Sequence, residues 1–285
     1  MLETIEIIFR MEIKIVKDYK CFVFDLDGTL LNSAKEITDE VQKVISLLKA
    51  KDKQIFIATG RHALIASKYI YELDLNTPLI ACNGALIKDV RNNEIIYMKL
   101  IKSVVASKVI TYCMQEQLDF LVYTPKAIYH SENSSRVNVV IEYNNSVNKQ
   151  FRAPLYNVQA LDVLKQDIIK VLVRSDDGNI FEKLNNDINK DGSLTIVKSD
   201  EDLIDIMTSG VSKGDGLDFL AKHLGIDLES TVAFGDSHSD ISMFEVAGLS
   251  IAMGNAEEEL KRIADYITLS NDESGISHAI YKYIL

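Results

Sequence analysis

A chain of 285 residues exceeds the usual single domain of about 150, and 47% apolar with 26% charged residues excludes global disorder. The net charge of −11, from 42 acidic and 31 basic residues, argues against nucleic acid and anionic membranes as general partners. No uncharged stretch approaches the roughly 18 residues of a membrane helix, so the chain reads as soluble and globular.

Residues 1–20 form a lead-in without clear pattern. Glu3 and Glu6 interrupt any signal-peptide core, and Met11 is an alternative start. Cys21-Phe-Val-Phe ends at Asp25 and reads as a buried parallel strand. Val41, Val44, Ile45 and Leu48 then recur at helical spacing behind Thr38, Asp39 and Glu40, which supply an N-cap and an acidic first turn. A strand at 54–58, a helix at 62–73 and a strand at 79–82 follow, the rhythm of a parallel sheet with right-handed crossovers. After Gly84, residues 86–89 and 94–98 flank Arg91-Asn92-Asn93 as a hairpin. A helix at 102–117, strands near 119–123, 127–130 and 168–174, a helix at 178–188 and a hairpin from 193–199 and 202–207 make an α+β insert with an antiparallel sheet. Residues 131–165 resist assignment. The α/β rhythm returns with a helix at 213–224, strands at 231–234 and 249–252, and helices at 238–246, 256–263 and 273–283. The parse is a lead-in (1–20), a first core piece (21–85), an inserted α+β domain (86–199) and a second core piece (200–285).

Four spots carry chemistry, each at a strand end or a helix start, where open α/β sheets place their sites. Asp25-Leu-Asp27-Gly28-Thr29-Leu30 brings two carboxylates to a turn, one to attack or bind metal and one to move protons. Alone, such a turn reads as solvated. Thr59-Gly60-Arg61 offers a hydroxyl, an approachable backbone and a guanidinium to an oxyanion; Thr59 reads equally well as a helix N-cap. Lys213 in Ser212-Lys213-Gly214 opposes the helix dipole, which is explained if it faces an anion and is otherwise a surface lysine. Asp236 and Asp240 straddle a strand–helix loop and suit Mg²⁺, although Asp240 alone fits a first-turn acid. Together the four spots describe a site for an anion and Mg²⁺ with a spare carboxylate.

These motifs resemble those of the haloacid dehalogenase-like (HAD) hydrolases. The large insert, Asn83-Gly84-Ala85 and Met253-Gly254-Asn255-Ala256 resemble the Cof-type sugar-phosphatase subfamily. The resemblance covers roughly residues 20–285. It implies a doubly wound, Rossmann-like parallel-sheet core with an α+β cap, and a cytoplasmic Mg²⁺-dependent phosphatase of small phosphorylated metabolites. It further implies Asp25 as the nucleophile that forms an aspartyl-phosphate and Asp27 as acid and then base. Thr59 and Lys213 would hold phosphate oxygens, with Gly60, Arg61 and Asn83 also at the substrate. Mg²⁺ would sit on the Asp25 carboxylate, the Asp27 carbonyl and Asp236, with Asp240 in support. Ser239 departs from the family's common Asn, which weakens the expectation of a direct contact there. Flavin, pyridoxal and nucleotide phosphates are alternative substrates, and a phosphomutase or a non-catalytic sugar-phosphate sensor are alternative functions.

Other signals are discounted. Asp187 to Gly192 begins like a Ca²⁺ loop, but Lys198 stands where a bidentate Glu is required. His62 and His238 read as capping or surface residues, and Tyr112, Tyr123, Tyr129 and Tyr143 as core or rim. Cys21, Cys82 and Cys113 lack metal or redox spacing and sit among apolar neighbours, which predicts buried free thiols in a reducing compartment.

Overall fold

The structure is a computed structural model that describes residues 18–200 and 202–285. The alternative start at Met11 and the lead-in through residue 17 lie outside the described residues. The described residues divide into two compact units, 18–56 with 221–285, and 57–220.

In the first unit, β1 (Cys21–Phe24), β12 (Thr231–Gly235), β13 (Leu249–Ala252) and β14 (Tyr266–Ile267) are parallel, in the order β14–β13–β12–β1. All four residues of β1 are buried, so the strand reads as a continuous apolar run instead of alternating. Phe24 stacks on Phe234 with ring centroids 4.8 Å apart, and the two residues are register partners. Helix α1 (Asp39–Ala50) turns Val41, Val44, Ile45 and Leu48 inward, and the Thr38 hydroxyl accepts from the Val41 amide. The expected helix at 238–246 is a 3₁₀ turn over His238–Asp240 followed by α7 (Ile241–Val246). The expected helix at 256–263 shortens to α8 (Glu258–Ile263), and the last resolves into a 3₁₀ turn, α9 (Gly275–Ala279) and a π-helical end.

β2 (Gln54–Ala58) is shared, its first three residues belonging to the first unit and its last two to the second. In the second unit it is followed by α2 (Ala63–Glu72) and by β3 (Leu79–Ala81), which pairs with β2 in parallel. β4 (Leu86–Asp89) and β5 (Glu94–Met98) form the expected hairpin, but it pairs antiparallel with β3. The hairpin therefore extends the sheet that holds β3, where the sequence parse had begun the insert at 86.

A further sheet of this unit has six strands in the order β10–β11–β9–β6–β7–β8: β6 (Asp119–Tyr123), β7 (Ile128–His130), β8 (Leu155–Asn157), β9 (Lys170–Arg174), β10 (Leu194–Lys198) and β11 (Leu203–Thr208). It thus runs to residue 208, past the parsed end at 199, because β11 pairs with both β9 and β10. The sheet is mixed where an antiparallel one was expected, since β7 and β8 are parallel. α3 (Ser103–Gln115) and α5 (Ile180–Ile188) bury Val109, Ile110, Leu184 and Ile188 against Phe120, Val122, Val171, Val173 and Ile206. The unassigned stretch holds α4 (Val137–Ser146) and β8. The loop after Asp187 is a helix-end turn, in which Asn189 exchanges two hydrogen bonds with the Leu194 backbone. α6 spans Lys213–Leu224, as the sequence predicts.

Candidate active site

The carboxylates of the first unit stand at the carboxyl ends of two adjacent parallel strands. β1 and β12 run in register to Phe24 and Phe234, and the Asp25 amide donates to the Phe234 carbonyl at 3.0 Å. Asp25 and Asp236 therefore leave the sheet side by side. Each of Asp25, Asp236 and Asp240 offers an oxygen, and these oxygens lie within 4.8 Å of one another.

Backbone geometry builds this convergence. Gly28 adopts φ +77°, and a Cβ there would meet the Asp236 Oδ2 at 2.2 Å, so only glycine leaves room for that carboxylate. The Thr29 hydroxyl donates to the Asp236 Oδ1 at 2.9 Å. Asn255 Nδ2 donates to the Gly28 carbonyl at 2.9 Å and pins the turn from the loop after β13. Asp240 is fully buried, and its Oδ2 accepts from the backbone amides of Asp236 and Ser237, both at 3.0 Å. That oxygen orients the loop bearing Asp236. A Cβ on Gly235 would lie 2.5 Å from the Asp240 Cβ, so this position too must be glycine.

Three close carboxylates are hard oxygen donors of the kind Mg²⁺ takes, with waters completing its shell, and these residues fit such an ion. Asp27 is outside this cluster among the described residues. Its side chain is 39% exposed, and its Oδ1 accepts from the exposed Lys35 ammonium at 3.0 Å. The Ser239 hydroxyl lies 2.9 Å from that of Ser237. His238 is at the surface, with its Nδ1 3.2 Å from Glu259.

The second unit carries the Thr59-Gly60-Arg61 turn. Thr59 is buried, and its hydroxyl accepts from the Arg61 amide at 3.1 Å. The N-cap of α2 is therefore His62 and not Thr59, because the His62 Nδ1 accepts from the Leu64 amide at 2.9 Å. With Nδ1 accepting, His62 Nε2 carries the proton and donates to the Thr124 carbonyl at 2.7 Å. Burial pushes His62 down to about 4, with the charge of Lys170 adding to the effect, so the ring is neutral at physiological pH.

Asn83, at φ +53°, is buried beneath the turn. Its Nδ2 donates to Asp205 at 2.8 Å, while its Oδ1 accepts nothing among the described residues. Lys213, the first residue of α6, is 3% exposed and so is no ordinary surface lysine. Ser212 caps the start of the helix, its hydroxyl accepting from the Asp215 amide and donating to the Asp215 carboxylate. Gly84 permits this packing: at φ +92°, a Cβ there would lie 2.1 Å from the Ser212 carbonyl.

Sequence reasoning missed Thr29, Lys170 and Asp205. Thr29 lay within the first motif, but its bond to Asp236 spans 207 positions and leaves no local signature. Tyr123 is buried, whereas Tyr112 bonds Asp187 at the surface. The three cysteines are free and buried, and burial raises each thiol to about 12.

A family model for haloacid dehalogenase-like hydrolases matches residues 22–280. Phosphatase YwpJ of Bacillus subtilis is 32% identical over 93% of this chain and 100% of its own length. The 5-amino-6-(5-phospho-D-ribitylamino)uracil phosphatase YwtE of Bacillus subtilis is 29% identical over 92% of this chain and 96% of its own. A solved HAD subclass IIB sugar phosphatase is similar at TM-score 0.79 and 27% identity, covering 92% of this chain and 98% of that one.

Proposed function

This chain belongs to the haloacid dehalogenase-like hydrolases and is a phosphatase, a premise from which we propose that it hydrolyses small phosphate monoesters, sugar phosphates first, through a phosphorylated Asp25 with Mg²⁺ bound. The observation that carries this reading is the convergence of Asp25, Asp236 and Asp240 at the ends of two parallel strands.

Mg²⁺ would be held by Asp25, the Asp27 carbonyl and Asp236, and when bound it offsets the repulsion between carboxylate and phosphate dianion. The Asp25 carboxylate attacks phosphorus, and the ester P–O bond breaks. Asp27 passes its proton to the leaving oxygen. As a carboxylate it then takes a proton from water, whose oxygen attacks phosphorus and releases Asp25 and inorganic phosphate. For this, Asp27 exchanges its exposed partner Lys35 for the leaving group. Thr59, the Gly60 backbone and Lys213 take the phosphate oxygens. Asp240 acts through the backbone it orients.

The free buried thiols support a reducing compartment, the cytoplasm in this reading. Among the described residues no helix is long and apolar enough to cross a membrane. A second leaving-group class is favoured by the relative that acts on a ribitylamino-uracil phosphate: a sugar alcohol carrying a heterocycle. The covalent step is tested by acid-quenching Asp27→Asn with ³²P-labelled substrate. Hydroxylamine-labile label on Asp25 is expected, and its absence despite turnover would remove the nucleophile.

A further inference from the structure

The carbonyls of the Thr59-Gly60-Arg61 turn are all taken. The Asn83 amide donates to Thr59 and the Cys82 amide to Arg61, both at 3.0 Å, while the Lys170 ammonium donates to Gly60 at 2.8 Å. A trans peptide points its N–H opposite its C=O, so holding the Thr59 carbonyl inward aims the Gly60 N–H the other way. Among the described residues that N–H makes no hydrogen bond. The turn thus hides its carbonyls and keeps the Gly60 N–H open, while the Arg61 N–H is held by the Thr59 hydroxyl; an open donor over hidden acceptors is what an oxyanion site requires.

Two of the groups behind the turn come from the six-stranded sheet. Lys170 opens β9 and Asp205 lies in β11; Lys170 faces Met207 in register, so Asp205 is its diagonal neighbour on the same sheet face. The Lys170 ammonium pairs with Asp205 Oδ1 at 2.7 Å, with both side chains at most 2% exposed, and lies 5.2 Å from the Tyr123 ring centre. Asp205 Oδ2 accepts from Asn83 Nδ2 at 2.8 Å. A cation, an anion and an amide, all buried, therefore link the sheet to the turn from below.

We propose that Lys170, Asp205 and Asn83 are positioning residues that fix the Thr59–Arg61 turn in its phosphate-receiving form, so that the insert sheet sets the geometry of the anion site. This rests on the phosphatase reading. A buried ion pair is weak evidence for stability, and its replacement by neutral groups of similar size is often tolerated. Loss of the pair should therefore be felt at the turn more than in the fold.

The test is Lys170→Met/Asp205→Asn, which keeps an acceptor for Asn83 and leaves the Gly60 carbonyl without its donor. The readouts are the thermal midpoint, the calorimetric Kd for inorganic phosphate with MgCl₂, and KM and kcat for p-nitrophenyl phosphate. A midpoint near wild type is expected, with Kd and KM both raised about tenfold and kcat changed less. Asn83→Gly, which keeps the positive φ and the amide to Thr59 but cuts the bridge to Asp205, should raise Kd by about threefold. Wild-type Kd and KM in either folded variant would overturn the proposal, as would a lowered midpoint with Kd unchanged. A wild-type chain that binds phosphate but cleaves no ester would sink the phosphatase reading alone, and the Kd comparison would still decide the positioning role.

Discussion

The carboxylate cluster and the Thr59–Arg61 turn are held in opposite ways. Around Asp236 two short motifs meet: Asp240 bonds backbone four and three residues away and Gly235 leaves it space, while Gly28 and Thr29 of the turn after β1 make room for Asp236 and bond it across 207 positions. Around Gly60 it is done by Lys170, 110 positions later, and by Asp205, which reaches Asn83 across 122 positions. The first region is encoded as short motifs. The second is encoded in sheet topology, as a buried charge on an insert strand.

Variants can break this contrast. The largest expected effect is on chemistry alone: Asp25→Asn should lower turnover by on the order of 10³-fold or more while the melting curve stays near wild type. An active Asp25→Asn enzyme would remove the nucleophile assignment. Lys170→Met alone should act on stability, because it strands the buried Asp205 charge at a cost of about 3–5 kcal/mol, read by urea denaturation. A loss under about 1 kcal/mol would mean that the second region does not depend on its distant pair.

His62 sharpens the same comparison through pH. Its value falls from an ordinary 6.5 to about 4, so between those limits the unfolded chain binds more protons than the folded one. Stability from this group is complete above pH 6.5 and is lost as pH falls toward 4, by about 3 kcal/mol. His62→Gln should flatten the slope of unfolding free energy between pH 7 and 4.5, and an unchanged slope would place the titration elsewhere. Gly28→Ala should cost about 1–3 kcal/mol, because φ is positive and the new Cβ collides with Asp236; its activity should fall and need a higher Mg²⁺ concentration for half-maximal rate. Lys35→Ala should cost under about 1 kcal/mol, since its pair with Asp27 is exposed. A larger change in stability would mean that the first region leans on that surface contact.

The contrast also explains what the sequence disclosed. α6 and β13 were readable to the residue because apolar spacing and flanking glycines bound them. The carboxylates were readable because strand ends and turn residues mark them. α4 was not, since its sequence VNVVIEYNNS is β-branched and Asn-rich, and Arg136 ahead of it offers no capping side chain, the Val137 amide being held by Ser134 three residues back. β8 has three residues and only a parallel partner. The pairing of the hairpin at 86–98 with β3 was not readable, because a tight turn says which strands pair but not which sheet they join. Lys170 and Asp205 were illegible for a related reason: nothing local tells a buried charge in a strand from an exposed one.

The most direct test of the account is phosphate release from a panel of sugar, sugar-alcohol, pyridoxal and nucleoside monophosphates, with MgCl₂ or EDTA, for wild type beside Asp25→Asn. Release that requires both Mg²⁺ and Asp25 is expected, strongest for a sugar or sugar-alcohol phosphate. Release that persists in EDTA or in Asp25→Asn would contradict it.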